Sequence, residues 1–406
     1  MAVLQTYEEG HQTGKTGAVM IVYMSLTLVT LAIAFLIKSG DVRPAVIGSG
    51  QYNYIYRGIS RKQVRNVIGL FSLFVLLTGV SAIRLNVGND YSNYVEFMHR
   101  TFSNAYVPTE PGFNYLTKFV YTLSGFENYV AVFAIFAAAT VFFFLSALYR
   151  QSEDFFLSFI MFMLLGYYFQ SLSTVRYYLA LAVALYSIRF CLNGDWPRFI
   201  ILILCGALFH KSLIVVLVLY PLASMKWKRW MYIVLSALCF SCIFLKDVYL
   251  VVATKLYPSY EGTEYLSGGT SAIGIARCVA VLFLAVFVLG KNIVSDKKMS
   301  FYFYSNLGAL LLYVFCSFLP TVSRITYYFM VTQILYVPAL LKMLMADPDY
   351  KRYKAGQILK VLTVIGCVLY FIMYMRGAAN DGVRILPYET IFFHELPATL
   401  SERGFG

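Results

Sequence analysis

The stretch RLNVGNDYSNYVEFMHRTFSNAYVPTEPGFNYL, residues 84–116, is the first long polar interruption in a chain otherwise built from apolar segments. It begins with Arg84, at the very end of a hydrophobic run. Large apolar side chains then recur with one-sided helical spacing. They are Tyr91, Tyr94, Val95, Met98 and Phe102. A second such helix is predicted to begin at Pro111, because proline suits a first helical position. We therefore predict two amphipathic helices, at 90–102 and 111–123, that lie flat in the membrane interface.

The composition around this stretch is that of a membrane protein. Hydrophobic residues make up 60% of the chain and charged residues 13%, and the mean hydropathy is +0.68, whereas soluble domains carry about 25% charged residues. The apolar runs approach the roughly 20 residues that cross a bilayer as a helix. No alternating pattern of an outer-membrane barrel is present. We predict an all-α polytopic membrane protein with about 10–12 transmembrane helices, in a single transmembrane domain over residues 1–406.

Cysteine content and net charge exclude several other classes. All seven cysteines fall in apolar runs, which favours packing roles. Cys239 and Cys242 form a CxxC without a second pair, so neither a zinc site nor redox chemistry is predicted. The net charge of +13 is explained by basic cytoplasmic loops rather than by nucleic-acid binding. No P-loop, GxGxxG or HExxH motif is present, and we predict no metal and no cofactor.

The loop charges predict the orientation of the chain, because loops rich in lysine and arginine face the cytoplasm. Four loops are basic, at 43–65, 226–229, 291–298 and 351–354. The loops at 86–127 and 247–272 carry more acidic than basic residues, and we predict that they face outward.

The same rule predicts the position of a polar break at 209–212. Both ends of the region around it are basic, at Arg198 and at 226–229, so an even number of crossings lies between them. The break then forms an outer tip that carries His210 and Lys211. With this parity both termini are external, including the C-terminal tail at 376–406.

A set of arginines contradicts this sidedness rule and is the main signal of function. It consists of Arg84, Arg176, Arg277, Arg324 and Arg376, all at or near outer helix ends. A charge within a span costs about 2.5–3.5 kcal/mol at the bilayer centre, and such residues usually face a cavity or a partner. Each arginine alone is explained by snorkelling, or by pairing with Asp90, with Glu110 or with a carbonyl. The set, joined by Lys211, favours an anionic ligand, because guanidinium groups bind phosphate oxygens bidentately.

Three residues are candidate general bases. His210 has a side chain of the pKa class suited to accepting a proton near neutral pH, with a hydrogen-bonded structural histidine as the alternative. Asp90 and Glu110 compete with it, and their alternative is capping of the two amphipathic helices. The other histidines, His11, His99 and His394, are assigned to polar termini or loops.

Several tyrosines flank the arginines and are candidates to stack on sugar rings, with packing as the alternative. They include Tyr94, Tyr177 and Tyr328.

Six short motifs, in this order along the chain, resemble the EpsG-type Wzy family of bacterial polysaccharide polymerases. They are RLNVGNDYSNY at 84–94, EPGF at 110–113, STVRYYLA at 173–180, LFHKS at 208–212, SRITYY at 323–328 and PY at 387–388. Each is degenerate, so the specificity of the resemblance comes from the series, which covers nearly the whole chain. The polar N-terminus at 1–17 and Leu179 depart from the expected pattern.

The resemblance implies that the protein assembles exopolysaccharide, capsule or O-antigen from undecaprenyl-diphosphate-linked oligosaccharides on the outer side of the plasma membrane. It implies a fold similar to that of multi-span glycosyltransferases that use lipid-linked donors. A chain-length regulator is a further candidate partner, beside membrane lipids. The main alternative is a flippase or sugar transporter, and a third is a scaffold subunit of a synthase complex.

Joined to the arginine set, the resemblance gives the candidate residues their roles. Arg84, Arg176 and Arg324 would hold the donor diphosphate in one pocket and stabilise it as the leaving group, with Lys211 and Arg277 as further candidates. His210, Glu110 or Asp90 would take the proton of the attacking sugar hydroxyl. Tyr388, in the last motif, joins the candidate sugar-binding tyrosines.

Overall fold

The computed structural model describes residues 20–37, 46–49, 52–55, 60–256, 271–319, 322–380, 382–393 and 396. Over these residues the chain is almost entirely helical and carries several apolar helices long enough to span a membrane. The predicted all-α polytopic membrane fold is therefore confirmed. His11 and His394, together with much of the 247–272 loop and of the 376–406 tail, lie outside the described residues.

The chain divides into two compact units. Unit 1 contains Met1–Leu179 and Leu359–Gly406, and unit 2 contains Ala180–Ile358. The helices of unit 1 are α1 (Met20–Leu36), α2 (Arg61–Ala82), α3 (Tyr91–Phe102), α4 (Pro111–Ser124), α5 (Tyr129–Gln151), α6 (Phe155–Leu164), α7 (Tyr167–Ser171), the start of α8 (Val175–Asn193) and the end of α17 (Tyr350–Arg376). Its strands are β1 (Val46–Ser49), β2 (Tyr52–Ile55), β3 (Arg84–Leu85) and β4 (Glu389–Thr390), which form two antiparallel pairs, β1 with β2 and β3 with β4.

Unit 2 holds the remainder of α8 and the beginning of α17. Its own helices are α9 (Trp196–Ala207), a 3₁₀ helix (Lys211–Val215), α10 (Val216–Ser224), α11 (Arg229–Phe244), α12 (Lys246–Leu256), α13 (Ala272–Leu289), α14 (Lys297–Phe315), α15 (Val322–Met330) and α16 (Gln333–Met345). Helix α14 is central, because α10, α11, α13, α15 and α16 all pack against it.

Local capping signals in the sequence set several helix ends of unit 1. Ser60 and Gln63 form a capping box at the start of α2, where each side chain accepts a hydrogen bond from the backbone N–H of the other. Helix α4 has a proline in its first turn and is followed by Gly125, whose positive φ of 73° favours glycine. The Asn128 side chain accepts from the third residue of α5. Short sequence motifs thus predict where these helices begin and end.

In the part of the chain that the structure describes, fewer helices reach the length of a membrane span than the predicted 10–12. Among the described residues, six helices are long and apolar enough to cross a membrane, or seven if α11 and part of α12, bent by 91°, form one span. Four shorter apolar helices fall below that length. One predicted span, at 155–170, is two helices, because Gly166 takes a left-handed φ of 81° between α6 and α7. The apolar composition thus predicted where the apolar helices lie, whereas breaks in the backbone determined which of these helices are long enough to span a membrane.

Candidate functional site

The segment after α2 and the C-terminal segment meet at one end of unit 1. Strand β3 pairs with β4, so that Arg84 lies opposite Thr390. Arg384 reinforces this contact: its carbonyl accepts from the Gly88 N–H at 2.7 Å, and its guanidinium donates to the Asn86 side-chain oxygen at 3.2 Å. The loop at 86–92 is therefore held in place by residues almost 300 positions further along the chain.

Gly88 is required by this arrangement. Its φ is 107°, and a Cβ added to it would lie 2.6 Å from the carbonyl oxygen of Leu172 and 2.7 Å from the Cα of Ser173. Both neighbours are backbone atoms, so relieving the clash would require a shift of the main chain. The neighbouring Asn89 accepts a hydrogen bond from the Ser173 hydroxyl. The glycine thus lets the loop lie directly against the turn that precedes α8.

Arg84 is enclosed by protein. Its side chain donates to the Ser81 carbonyl and hydroxyl oxygens, and only 2% of the residue is exposed. Its guanidinium carbon lies 4.9 Å from the centroid of the Phe133 ring and 5.8 Å from that of Tyr91. Burial lowers the pKa of Arg84, and the nearby Tyr91 hydroxyl partly offsets this effect. In this conformation a ligand does not reach the guanidinium.

Arg176, at the start of α8, is partly open. It forms an ion pair with Glu110, and the two side chains are 15% and 14% exposed. Its guanidinium carbon lies 5.4 Å from the ring centroid of Tyr94 and 5.3 Å from that of Phe113. Its Nε is buried and has no hydrogen-bond partner among the described residues. The partly exposed ion pair with Glu110, rather than the buried Nε, is the part of this site that faces a ligand at this edge.

One aromatic cluster, made of Tyr91, Tyr94, Phe113 and Phe133, connects the two arginines of unit 1. Tyr91 stacks on Phe133 with ring centroids 4.6 Å apart, and Tyr94 lies edge-on to Phe133 at 6.3 Å. Arg84 contacts this aromatic cluster from its closed side, and Arg176 contacts it from its partly exposed side. A substitution at one arginine is therefore expected to disturb the packing of the other.

Asp90 and Glu110 occupy the N-cap positions of α3 and α4, but neither side chain makes a capping hydrogen bond. The structure therefore does not show side-chain capping, which was the structural alternative for both carboxylates. The Glu110 carboxylate is instead turned toward Arg176.

His99 is a buried histidine that the sequence analysis assigned to a polar loop, and that assignment is wrong. It lies on α3 with no exposed surface, and its Nδ1 is 2.8 Å from a carboxylate oxygen of Glu127 and 3.4 Å from the Tyr121 hydroxyl. The available signal was its spacing, because it follows Val95 by four residues on the apolar face of the helix. Because histidine is a polar residue, the sequence did not indicate that it is buried.

In unit 2, His210 is the first member of a hydrogen-bonded chain. It is 8% exposed and precedes the 3₁₀ helix (Lys211–Val215). Its Nδ1 lies 2.8 Å from the Ser212 hydroxyl, which lies 2.8 Å from the Tyr328 hydroxyl of α15. This chain connects the predicted outer tip at 209–212 with the SRITYY motif at 323–328, since Arg324 is one helical turn before Tyr328.

The other cations of unit 2 have different surroundings. Arg277 donates to the Gln333 side-chain oxygen at 2.9 Å, and Gln333 in turn donates to Asn306 at 2.7 Å. This polar network connects α13, α14 and α16. Lys211 is exposed and Arg324 is partly exposed. A pocket shared by Arg176 and Arg324 stays a prediction, whereas Arg84 is enclosed by protein in this conformation.

The tyrosines proposed to stack on sugars are mostly buried. Tyr94, Tyr177 and Tyr328 are each no more than 5% exposed. Tyr388 is partly exposed, donates to the Val80 carbonyl at 2.8 Å and lies edge-on to Tyr23. In this conformation these rings pack against protein, so packing is the role that the geometry supports.

Comparison with known proteins gives one match. A family model described as the EpsG family matches residues 67–390. No curated protein and no solved structure matches the chain.

Proposed function

The chain belongs to the EpsG family, whose function is of the polysaccharide polymerase type, and on that premise we propose that it joins oligosaccharide units carried on a lipid diphosphate. The acceptor unit attacks the growing glycan while that glycan is still attached to undecaprenyl diphosphate, at the outer face of the plasma membrane. This makes the protein a glycosyltransferase with a lipid-linked donor.

The observation that carries the proposal is the ion pair between Arg176 and Glu110. Both side chains are partly exposed, and the guanidinium lies over two aromatic rings that fix its position. A diphosphate presents the same bidentate oxygen pattern as a carboxylate but with more charge, so it competes for the guanidinium. Binding of the donor would then displace Glu110 from Arg176.

This exchange gives both residues a role in one step. The oxygen of the acceptor hydroxyl forms a bond to the anomeric carbon of the donor sugar, and the bond from that carbon to the phosphate oxygen breaks. The electron pair leaves with the lipid diphosphate, whose charge Arg176 stabilises. The displaced Glu110 carboxylate accepts the hydroxyl proton. Arg84 supports Arg176 through the aromatic cluster and does not touch the donor.

His210 is the competing base, with Lys211, Arg277 and Arg324 as further candidate diphosphate ligands in unit 2. The hydrogen bond at Nδ1 orients the imidazole, as is common for catalytic histidines. Asp90 remains a third candidate, at the N-cap of α3.

Reconstitution of the purified protein with lipid-diphosphate-linked repeat units tests the function. Glycans longer than one repeat unit, formed without another enzyme, are expected. Movement of the substrate across the membrane without lengthening would instead indicate a flippase. Arg176→Ala should lower the rate by about 10²–10³-fold, the usual effect of losing one such donor. The matched control is Arg100→Ala, which removes an exposed arginine paired with Glu96.

Two conservative substitutions distinguish between Glu110 and His210 as the general base. Glu110→Gln keeps an oxygen that accepts from Arg176 but cannot take a proton, so polymerisation should fall while donor binding persists. His210→Gln should retain most activity. The reverse pattern would transfer the role of base to His210, and full activity in both variants would contradict both assignments.

A further inference from the structure

A cavity of about 490 Å³ lies between α1 and α2 in unit 1. Its apolar lining comes from both helices, with Ile33 and Leu36 of α1 facing Val64 and Ile68 of α2. Its size is that of sites that enclose part of a small ligand. The cavity is open along one side, so a long chain could enter from the surrounding hydrocarbon.

Gly69 lines this cavity and lies close to the end of α1. A Cβ at Gly69 would lie 2.8 Å from a side-chain carbon of Ile37. The small residue thus permits close approach of α1, as small residues do in membrane helix pairs.

Two arginines, Arg61 and Arg65, line the same cavity. They are four residues apart and therefore on one face of α2. No residue in the first turn of α2 is acidic, and none of the ion pairs among the described residues involves either arginine. The positive end of the helix dipole lies at the same place, so cations there are disfavoured unless an anion joins them.

We infer that this cavity binds one anionic phospholipid, with the headgroup phosphate between Arg61 and Arg65 and an acyl chain along the apolar lining. Charge complementarity favours an anionic over a zwitterionic lipid, because each basic side chain near the headgroup adds attraction. The position agrees with the predicted cytoplasmic orientation of the 43–65 loop. Arg61 lies at the start of the 22-residue helix α2 and Arg84 just beyond its other end, so roughly 33 Å of helix separates them. The cavity is thus separate from the proposed catalytic residues.

Native mass spectrometry of the full-length protein in detergent tests this inference, with phosphatidylglycerol and phosphatidylcholine as probes. We expect one tightly retained phosphatidylglycerol and no comparable retention of phosphatidylcholine. Arg61→Gln and Arg65→Gln should each weaken retention about fivefold, the effect expected of one basic side chain near an anionic lipid. The control is Arg150→Gln. Arg150 is exposed and lies near the C-terminal end of α5, next to Tyr149, whose hydroxyl accepts a hydrogen bond from the Asn66 side chain of α2.

A second variant tests the acyl-chain part of the site without changing charge. Ser72→Leu adds bulk to the cavity lining and should weaken retention of phosphatidylglycerol while both arginines remain. Equal retention of the two lipids, or an equal loss in the Arg150→Gln protein, would overturn the inference. Unchanged retention in the Arg61→Gln, Arg65→Gln double variant would do the same.

Discussion

At the scale of single residues, unit 1 contains two arginines with different environments. Arg84 is buried and donates to Ser81, although its Nε has no hydrogen-bond partner among the described residues, whereas Arg176 is partly exposed and paired with a carboxylate. A buried guanidinium is expensive to desolvate and is retained where its contacts organise neighbouring elements. The exposed one can exchange its partner. The same residue type therefore supports packing at one position, and at the other it is the proposed ligand-binding group.

Gly88→Ala tests the close approach of the loop to the turn before α8. A positive φ costs a non-glycine residue about 1–2 kcal/mol, and the added Cβ would also clash with the backbone at Leu172. We expect a lower unfolding temperature in detergent and loss of polymerisation. Gly125→Ala is the control, because Gly125 also has a positive φ but has nothing within 4 Å of the added Cβ. Equal losses in both variants would show that only the backbone angle matters.

His99→Leu tests the buried pair with Glu127. Leaving a buried hydrogen-bonding group without its partner typically costs about 1–3 kcal/mol, whereas an exposed ion pair contributes about 0–1 kcal/mol. The His99→Leu protein should therefore unfold at a clearly lower temperature. Arg100→Leu removes the exposed partner of Glu96 in the next position of the same helix and should change stability little. A small effect of His99→Leu would mean that packing alone holds α3.

At the scale of elements, the C-terminal segment is part of the candidate site rather than an appendage. Strand β4 completes the pairing with β3, and the Tyr23 hydroxyl of α1 donates to the Ile385 carbonyl at 2.9 Å. Three distant parts of unit 1 thus meet at the 86–92 loop. Because these contacts are mostly to backbone, they fix the position of the loop whatever side chains it carries.

Arg384→Ala should loosen this loop without unfolding the protein. The variant loses donors to Asn86, Gly88 and Ser92, so amide hydrogen exchange across 86–92 should become faster and polymerisation slower. Lys354→Ala, at an exposed position of α17, is the control. Unchanged exchange in the Arg384→Ala protein would show that β4 and the remaining hydrogen bonds of Gly88 and Asn89 hold the loop without this guanidinium.

At the scale of the whole molecule, the sidedness of the membrane helices is the main prediction. Helix α5 is long and apolar enough to span the membrane, with the predicted outer loop 86–127 before it. In a variant lacking native cysteines, Ala105→Cys should react with a membrane-impermeant maleimide in intact cells. Arg150→Cys, at the other end of α5, should react only after permeabilisation. The opposite labelling would invert the orientation and with it the proposed outer-face chemistry.

The sequence predicted much of the fold and part of the candidate site. The helices at 91–102 and 111–124 follow from one-sided spacing and from the proline that begins the second one. The series of short motifs indicated the family. The break at Gly166 and the burial of His99 were not predicted, since a single glycine or histidine carries little local signal about its tertiary neighbours.

What the sequence determined by itself is the class of protein, because the free energy of burying apolar helices in a bilayer depends on composition along the chain. Only the tertiary structure decided that Arg84 is enclosed, that Arg176 meets Glu110 and that Arg384 closes on the 86–92 loop. These contacts join residues far apart along the chain. They are set by which helix faces pack together, and no local pattern encodes that choice.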